Sequence, residues 1–227
     1  MPTGVIVNCI AILSGGIIGG FLGHHFPKYL KETLPKIFGL AAMAIGIKLI
    51  IELNSLPAVI LALILGTVLG EVLKLETSLI SGLKKIKSID QSNSEYDLIV
   101  SAVVLFCFSG TGIFGTLQAG MAGDHTILFS KAVLDFFTSM IFGATAGYVI
   151  AFIALPQLLI GLALFFSSTL LIPILSSTML NDFKALGGII TLAVGFKVAG
   201  IKTFRVLNMV PALILVLILS WVWTLLF

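Results

Sequence analysis

Residues 39–65 read GLAAMAIGIKLIIELNSLPAVILALIL, and residues 188–219 repeat the pattern as GIITLAVGFKVAGIKTFRVLNMVPALILVLIL. The identical polar, glycine and proline matches are Gly39 with Gly188, Gly46 with Gly195, Lys48 with Lys197, Asn54 with Asn208, and Pro57 with Pro211. The second copy carries a short insertion between its lysine and its asparagine, and otherwise the two copies align. An apolar helix pair is therefore duplicated. In membrane proteins, repeats related by an in-plane two-fold axis often build a site near the middle of the bilayer.

The composition is that of a membrane protein. Apolar residues make up 59% of the chain and charged residues 10%, far from the balance of soluble domains. Nearly all apolar residues fall in windows of about twenty, the length that crosses roughly 30 Å of hydrocarbon. We predict an all-α polytopic membrane protein with about eight transmembrane helices, the first of them retained because no basic segment precedes it. The predicted spans are roughly 4–23, 37–53, 56–75, 97–115, 131–154, 157–177, 185–201 and 205–227.

Lysine and arginine residues indicate the orientation, because short cytoplasmic loops retain them. They concentrate in the links between spans one and two, three and four, and seven and eight, whereas the opposite side has only Lys131 and Lys184 near its loops. We therefore expect the three basic links in the cytoplasm and both chain termini outside. The two copies of the helix pair then cross the membrane in opposite directions, as an inverted repeat does. The net charge of +3 is explained by a basic inner face beside anionic lipid and indicates no nucleic-acid partner.

The chain divides at its polar segment. Residues 1–75 form a first unit of three spans, and residues 157–227 form a second, inverted unit of three spans. Residues 97–156 form a central part that contains the fourth and fifth spans. Residues 76–96, with Lys84, Lys85 and Lys87 before a polar run, are expected to form a cytoplasmic surface helix and a short loop.

Residues 109–125, SGTGIFGTLQAGMAGDH, are poor in helix-forming residues, since each glycine weakens a helix by about 1 kcal/mol relative to alanine. We expect a broken or re-entrant segment here, near the fourth span. Non-helical backbone at membrane depth is tolerated where it is buried in protein or lines a water-filled cavity. The alternative is a glycine-rich outer loop that begins at a helix end. The residues predicted to line an ion or solute path are Ser109, Thr111, Gly112, Thr116, Gln118 and Asp124.

Ionisable residues inside spans are further candidates, because they are costly to insert. Asp135 follows Lys131 by one helical turn, a spacing at which the two side chains pair on one face. If the pair faces the broken segment, Asp135 holds a cation or a proton and Lys131 competes for it. A structural ion pair near the outer interface fits the spacing equally well. Asn8 in the first span joins the path candidates, although an interhelical hydrogen bond is its simplest use.

The repeat relates Lys48 to Lys197. Either both side chains snorkel to the membrane surface, or they place positive charges at the two mouths of one pathway, which favours an anionic solute. Asn54 and Asn208 each stand three residues before a proline, so we expect them to cap the helix that follows.

Glycines at helical spacing mark close helix contacts. Gly15, Gly19 and Gly23 form one small-xxx-small row in the first span. This row either packs against another helix of the same chain or joins copies of the chain into a homo-oligomer. Gly143 and Gly147 form the same kind of seam in the predicted fifth span.

A resemblance covers essentially the whole chain. The run from Gly112 to Asp135 contains G-x-x-G-x-x-Q-x-G-x-x-G-D-H followed by S-K-x-x-x-D, and the chain also has Gly4-x-x-x-Asn8 and Gly66-x-x-x-Gly70-Glu71. This pattern resembles the signature of an uncharacterised bacterial membrane-protein family, the YdfK/YqgA-like group, a domain of unknown function. The resemblance implies a polytopic protein of the bacterial inner membrane and brings no established substrate.

Motifs of soluble enzymes are missing from the sequence. It contains no nucleophile elbow, phosphate loop or HExxH motif, and its two cysteines lie inside apolar spans. We expect no enzyme activity and no cofactor, and the sequence does not specify a metal. We predict a small transporter or channel that moves a small ion, with a cation favoured because oxygen-bearing side chains cluster near the fourth span. The alternative is a membrane scaffold or regulator that does not transport and oligomerises through its glycine rows.

Overall fold

A computed structural model describes residues 1–23, 25, 27–84, 94–171 and 175–226, and every regular element in these ranges is helical. Residues 85–93 of the predicted polar segment, with Lys85 and Lys87, lie outside the described residues. The helices are α1 (Thr3–Leu22), α2 (Lys28–Ile50), α3 (Leu56–Val72), α4 (Leu75–Lys84), α5 (Ser94–Cys107), α6 (Gly110–Ala122), α7 (Thr126–Ala146), α8 (Val149–Phe152), α9 (Ala154–Leu171), α10 (Ser177–Val198) and α11 (Ala212–Leu226), with a 3-10 turn over Val206–Met209 before α11.

Seven stretches of the described chain are long and apolar enough to cross a membrane. They are Thr3–Leu22, Lys28–Ile50, Tyr96–Ala122, Thr126–Ala146, Val149–Leu170, Ser177–Val198 and Val206–Leu226. The predicted third span corresponds to α3, which is apolar but has 17 residues. The all-helical, multi-pass prediction is confirmed, with seven candidate spans of sufficient length in place of the eight expected.

The duplicated helices pack against each other. A Cβ atom added to Gly39 of α2 would lie 2.8 Å from the carbonyl oxygen of Gly195 in α10, and one added to Gly46 would lie 2.7 Å from that of Gly188. Positions later in α2 therefore contact positions earlier in α10, so the two helices run antiparallel. In the same way α3 contacts the segment at the start of α11, where Gly66 lies against Ala212. Glycine is required at these crossings because a side chain would overlap the facing backbone.

The glycine row of α1 faces α7 of the same chain. Added Cβ atoms at Gly15, Gly19 and Gly23 would meet Phe136, Met140 and Ala144. This is the first of the two uses that the sequence left open, and the residues of this row are engaged within the chain. Association of copies of the chain through other surfaces stays a prediction.

The boundary of the predicted fifth span was wrong. The span was expected over 131–154, but α7 runs over Thr126–Ala146 and ends at Gly147, which has a φ of 83°. A residue with a side chain rarely adopts this backbone conformation, whereas glycine does so at little cost. Gly147 is therefore a helix end and does not form the seam predicted with Gly143, which contacts Gly16 of α1.

The glycine-rich segment is mostly helical. Helix α5 ends at Cys107 and α6 begins at Gly110, so Phe108 and Ser109 lie between two helices. The alternative of a glycine-rich outer loop was wrong for 110–122, since α6 is regular until Gly123, whose φ is 68°. The glycines are tolerated because their faces are covered: Gly110 lies against Gly187 of α10 and Gly120 against Phe165 of α9.

Candidate functional site

Four polar side chains from three helices meet inside the bundle. Lys131 Nζ of α7 lies 2.6 Å from Asp135 Oδ2, and both side chains are less than a tenth exposed. The same oxygen accepts a 2.8 Å hydrogen bond from Asn8 Nδ2 of α1. Gln157 Nε2 of α9 donates to Asn8 Oδ1, also at 2.8 Å. We call Asn8, Lys131, Asp135 and Gln157 the central cluster.

The sequence identified three of these four residues. Lys131 and Asp135 pair as their spacing predicts, and Asn8 makes the interhelical hydrogen bond expected of it. Gln157 was missed, although it is the one amide side chain in the apolar stretch 149–170. An isolated amide in such a stretch needs a polar partner on another helix, and that is the signal that identifies it.

Lys131 also contacts the end of α5. Its Nζ donates to the carbonyl oxygen of Leu105 at 3.2 Å. Because α5 stops at Cys107, the last carbonyl groups of that helix lack partners within the helix. An ammonium group at a helix C-terminus is stabilised by these carbonyls and by the helix dipole. The helix end and the Asp135 carboxylate therefore hold one positive charge between them.

The start of α6 is ordered by the predicted path residues. Ser109 has an extended backbone and its hydroxyl accepts a hydrogen bond from the backbone N–H of Gly112 at 3.1 Å, as an N-cap does. The Thr116 hydroxyl donates to the Gly112 carbonyl oxygen at 2.7 Å. These residues thus fix the geometry of the junction beside Lys131, whose Cε would lie 2.8 Å from a Cβ atom at Gly112.

A groove of about 440 Å³ runs beside the central cluster. Its walls come from α2, α5, α6, α7 and α10, and they are largely apolar, with Phe38, Leu134 and Phe142 among them. Its polar lining residues are Lys48, Glu52, Ser109, Thr111, Thr126, Ser130, Lys131, Asp135, Thr138 and Thr191. From Thr126 to Phe142 the groove follows α7 for about 24 Å, at 1.5 Å per residue. Lys131 and Asp135 lie along this wall.

Two predicted path residues lie apart from the cluster. Asp124 lies between α6 and α7, where its Oδ1 accepts the backbone N–H of Thr126 at 2.9 Å and its Oδ2 accepts Gln118 Nε2 at 3.1 Å. The hydrogen bond from the Thr126 backbone holds the pKa of Asp124 below its ordinary value. Asp124 and Gln118 therefore order the α6–α7 link, and neither lines the groove.

The repeat-related lysines differ in their surroundings. Lys48 is exposed and lines the groove. Lys197 is buried, with its Nζ 3.0 Å from Glu76 Oε1 and 3.2 Å from Asp97 Oδ1, so snorkelling does not describe it. Glu76 was expected on a cytoplasmic surface helix, but it is only 6% exposed because its carboxylate pairs with Lys197 and accepts the backbone N–H of Leu207.

The asparagines of the repeat do not cap their own helices. Asn208 Oδ1 accepts the backbone N–H of Glu76 and so caps α4. At the other copy, the buried carboxylate of Asp182 accepts the backbone N–H groups of Asn54 and Ser55 at 2.9 and 2.7 Å. The prediction was wrong because a helix start also takes caps from distant chain segments, which a local pattern does not reveal.

A metal-ligand cluster is not among the features of the described chain. No group of three or more His, Cys, Asp or Glu residues stands close enough to hold a metal ion in those ranges. The central cluster offers one carboxylate, two amides and the Leu105 carbonyl beside an ammonium, and the adjoining groove adds hydroxyl groups. Carboxylate, carbonyl and hydroxyl oxygens are ligands that a cation can use.

The comparisons with known proteins agree with the membrane architecture. The chain is 40% identical over 231 residues to "Uncharacterized protein YqgA" of Escherichia coli (strain K12), covering 99% of this chain and 98% of that protein. It is 30% identical over 216 residues to "Uncharacterized membrane protein YdfK" of Bacillus subtilis (strain 168), covering 93% of each. No solved structure matches the chain. Residues 3–221 match the family model described as "Protein of unknown function (DUF554)", and the chain belongs to this family.

Proposed function

We propose that the protein transports a small cation, either a proton or a monovalent metal ion, which binds at Asp135 in place of the Lys131 ammonium. The observation that carries this proposal is the placement of the pair. A buried carboxylate, neutralised by a lysine 2.6 Å away, lies along the wall of a groove large enough for hydrated ions. An ionisable pair inside a membrane span is a candidate for an ion or proton site by default.

Competition between the lysine and the cation follows from the energetics of burial. A buried charge that loses its partner destabilises a protein by about 3–5 kcal/mol. Asp135 therefore releases Lys131 only when another positive charge replaces it. The groove gives the ammonium room to withdraw, because Lys131 already lines it.

The α5–α6 junction supports the choice of a cation. We interpret α5 and α6 as two halves of one discontinuous span, the described stretch Tyr96–Ala122. In transporters, the C-terminal ends of such half-helices coordinate cations through their free carbonyls. Here the carbonyl of Leu105 contacts Lys131 Nζ, so a bound cation has the helix end as well as Asp135 for a ligand.

The duplicated pairs supply the elements that move. We interpret them as inverted repeats in the inner membrane, with both chain termini outside and the three basic links on the cytoplasmic side. The antiparallel contacts are reciprocal: Gly39 meets Gly195, and their repeat counterparts Gly188 and Gly46 meet each other. A two-fold relation produces such reciprocal contacts. Rocking of one repeat against the other would open the groove alternately to each side.

The test is flux into liposomes that contain the purified protein, with protons, Na⁺, K⁺ and Cl⁻ supplied separately. We expect flux of one cation that Asp135→Asn abolishes. The matched control is Glu32→Gln, which also converts a carboxylate to an amide, on the exposed face of α2. Chloride flux that survives Asp135→Asn would contradict the proposal, and so would the absence of flux for every ion with folded protein.

A further inference from the structure

A second, smaller cavity borders the central cluster. Its volume is about 10 Å³, close to the roughly 10–15 Å³ that a single water molecule requires. Its polar lining residues are Asn8, Thr116, Lys131 and Gln157, and Gly112 and Cys107 also line it. Lys131 therefore stands between this cavity and the large groove, because it lines both.

One residue that lines this cavity has a buried acceptor without a partner in the described part of the chain. Gln157 is 7% exposed, and its Oε1 accepts no hydrogen bond from the described residues. Its Nε2 is already directed to Asn8 Oδ1. Leaving a polar atom unpaired in this way costs about 1–3 kcal/mol, so native proteins usually supply a partner.

One N–H donor of Lys131 also lacks an acceptor among the described residues. The Lys131 ammonium has three N–H groups, and within the described chain two of them find acceptors, at Asp135 and Leu105. Gln157, whose Oε1 lacks a partner among the described residues, and Lys131, whose ammonium has a spare N–H, both line this cavity.

We infer that this cavity binds one water molecule, which accepts a hydrogen bond from Lys131 Nζ and donates one to Gln157 Oε1. The water closes a ring of hydrogen bonds: Lys131 to Asp135, Asn8 to Asp135, Gln157 to Asn8, and water between Gln157 and Lys131. Gln157 Oε1 and the third N–H of Lys131 then both have partners. The site is independent of the proposed transport, since it needs only the resting geometry.

Other occupants fit less well. A metal cation would lie beside the Lys131 ammonium, which repels it. An anion would face the Gln157 Oε1 acceptor, which also repels it, and chloride is larger than the space. Water alone both donates and accepts, as the two walls require.

The test is a structure of the full chain at a resolution that reveals ordered water, for the wild type and two variants. We expect one density peak within about 2.6–3.2 Å of both Lys131 Nζ and Gln157 Oε1. Gln157→Leu removes the acceptor and should lose the peak. Thr116→Val alters another wall, leaves both hydrogen-bonding partners in place, and should keep it.

The inference would be overturned by a wild-type cavity without density, by a direct hydrogen bond from Lys131 Nζ to Gln157 Oε1 across it, or by a peak that persists in Gln157→Leu. A peak with four or more oxygen ligands at metal distances would also overturn it, because it would identify a cation. Loss of cation flux in a transport assay bears on Asp135 and leaves this site unaffected.

Discussion

The Lys197 ammonium lies 3.0 Å from the Glu76 carboxylate inside the bundle, whereas its repeat counterpart Lys48 is exposed. The pair joins α10 to α4, and Glu76 also accepts the backbone N–H of Leu207 before α11. The two lysines that the sequence pattern matches therefore differ in their surroundings. Lys197 forms a buried ion pair between α10 and α4, and Lys48 lines the groove.

Lys197→Met should destabilise the protein strongly, since it leaves the buried Glu76 carboxylate without its cation. Removing one partner of a buried ion pair costs about 3–5 kcal/mol. The matched control is Lys48→Met, which should change the stability by no more than about 0.5 kcal/mol because Lys48 is exposed. Thermal unfolding in detergent measures both. Equal losses for the two variants would contradict the assignment of Lys197 as the structural member of the pair.

Gly46→Leu should separate α2 from α10. A Cβ atom at Gly46 would lie 2.7 Å from the Gly188 carbonyl oxygen and 2.8 Å from the Leu192 backbone nitrogen, so the helices must move apart. Overpacking of this kind typically costs 1–3 kcal/mol or more. Ala44→Leu adds similar bulk on the exposed face of the same helix and should be nearly neutral. The measurement is the unfolding temperature of each variant, and a neutral Gly46→Leu would exclude the close contact.

Asp124 should contribute a pH-dependent stability. Its pKa in the folded state lies below the ordinary value because the Thr126 backbone N–H donates to the carboxylate. The stabilisation is therefore present above about pH 4, the ordinary aspartate value, and is lost as the pH falls through the lower folded value. The difference in unfolding temperature between wild type and Asp124→Ala should be small, because the carboxylate is only partly buried, and should shrink between pH 7 and pH 3. A difference that grows on acidification would contradict this sign.

Local patterns in the sequence predict part of this architecture. Hydropathy windows identify the apolar helices, and the four-residue spacing of Lys131 and Asp135 predicts their pair, because both depend on helix periodicity alone. The sequence analysis did not predict a helix end where a single glycine terminates the helix. Gly147 ends α7 through its positive φ, and nothing in the flanking apolar residues distinguishes it from a packing glycine.

The sequence also did not predict contacts between residues that are distant in the chain. Glu76, Gln157 and Asp182 each form a hydrogen bond with a residue more than a hundred positions away in the sequence. A single sequence identifies an isolated polar residue in an apolar region but not the residue that it contacts. Lys131, Asp135 and Asn8 of the central cluster were therefore predictable from the sequence. Gln157 was not, because its role depends on the packing of α9 against α1.

The most direct test of the proposed competition is the dependence of cation flux on cation concentration in Lys131→Gln. Without the tethered ammonium, Asp135 should bind the transported cation more tightly. We expect the half-saturating concentration to fall about tenfold or more, equivalent to about 1.4 kcal/mol, whereas Asp135→Asn shows no saturable flux. An unchanged or higher half-saturating concentration in Lys131→Gln, with the protein folded, would contradict the account.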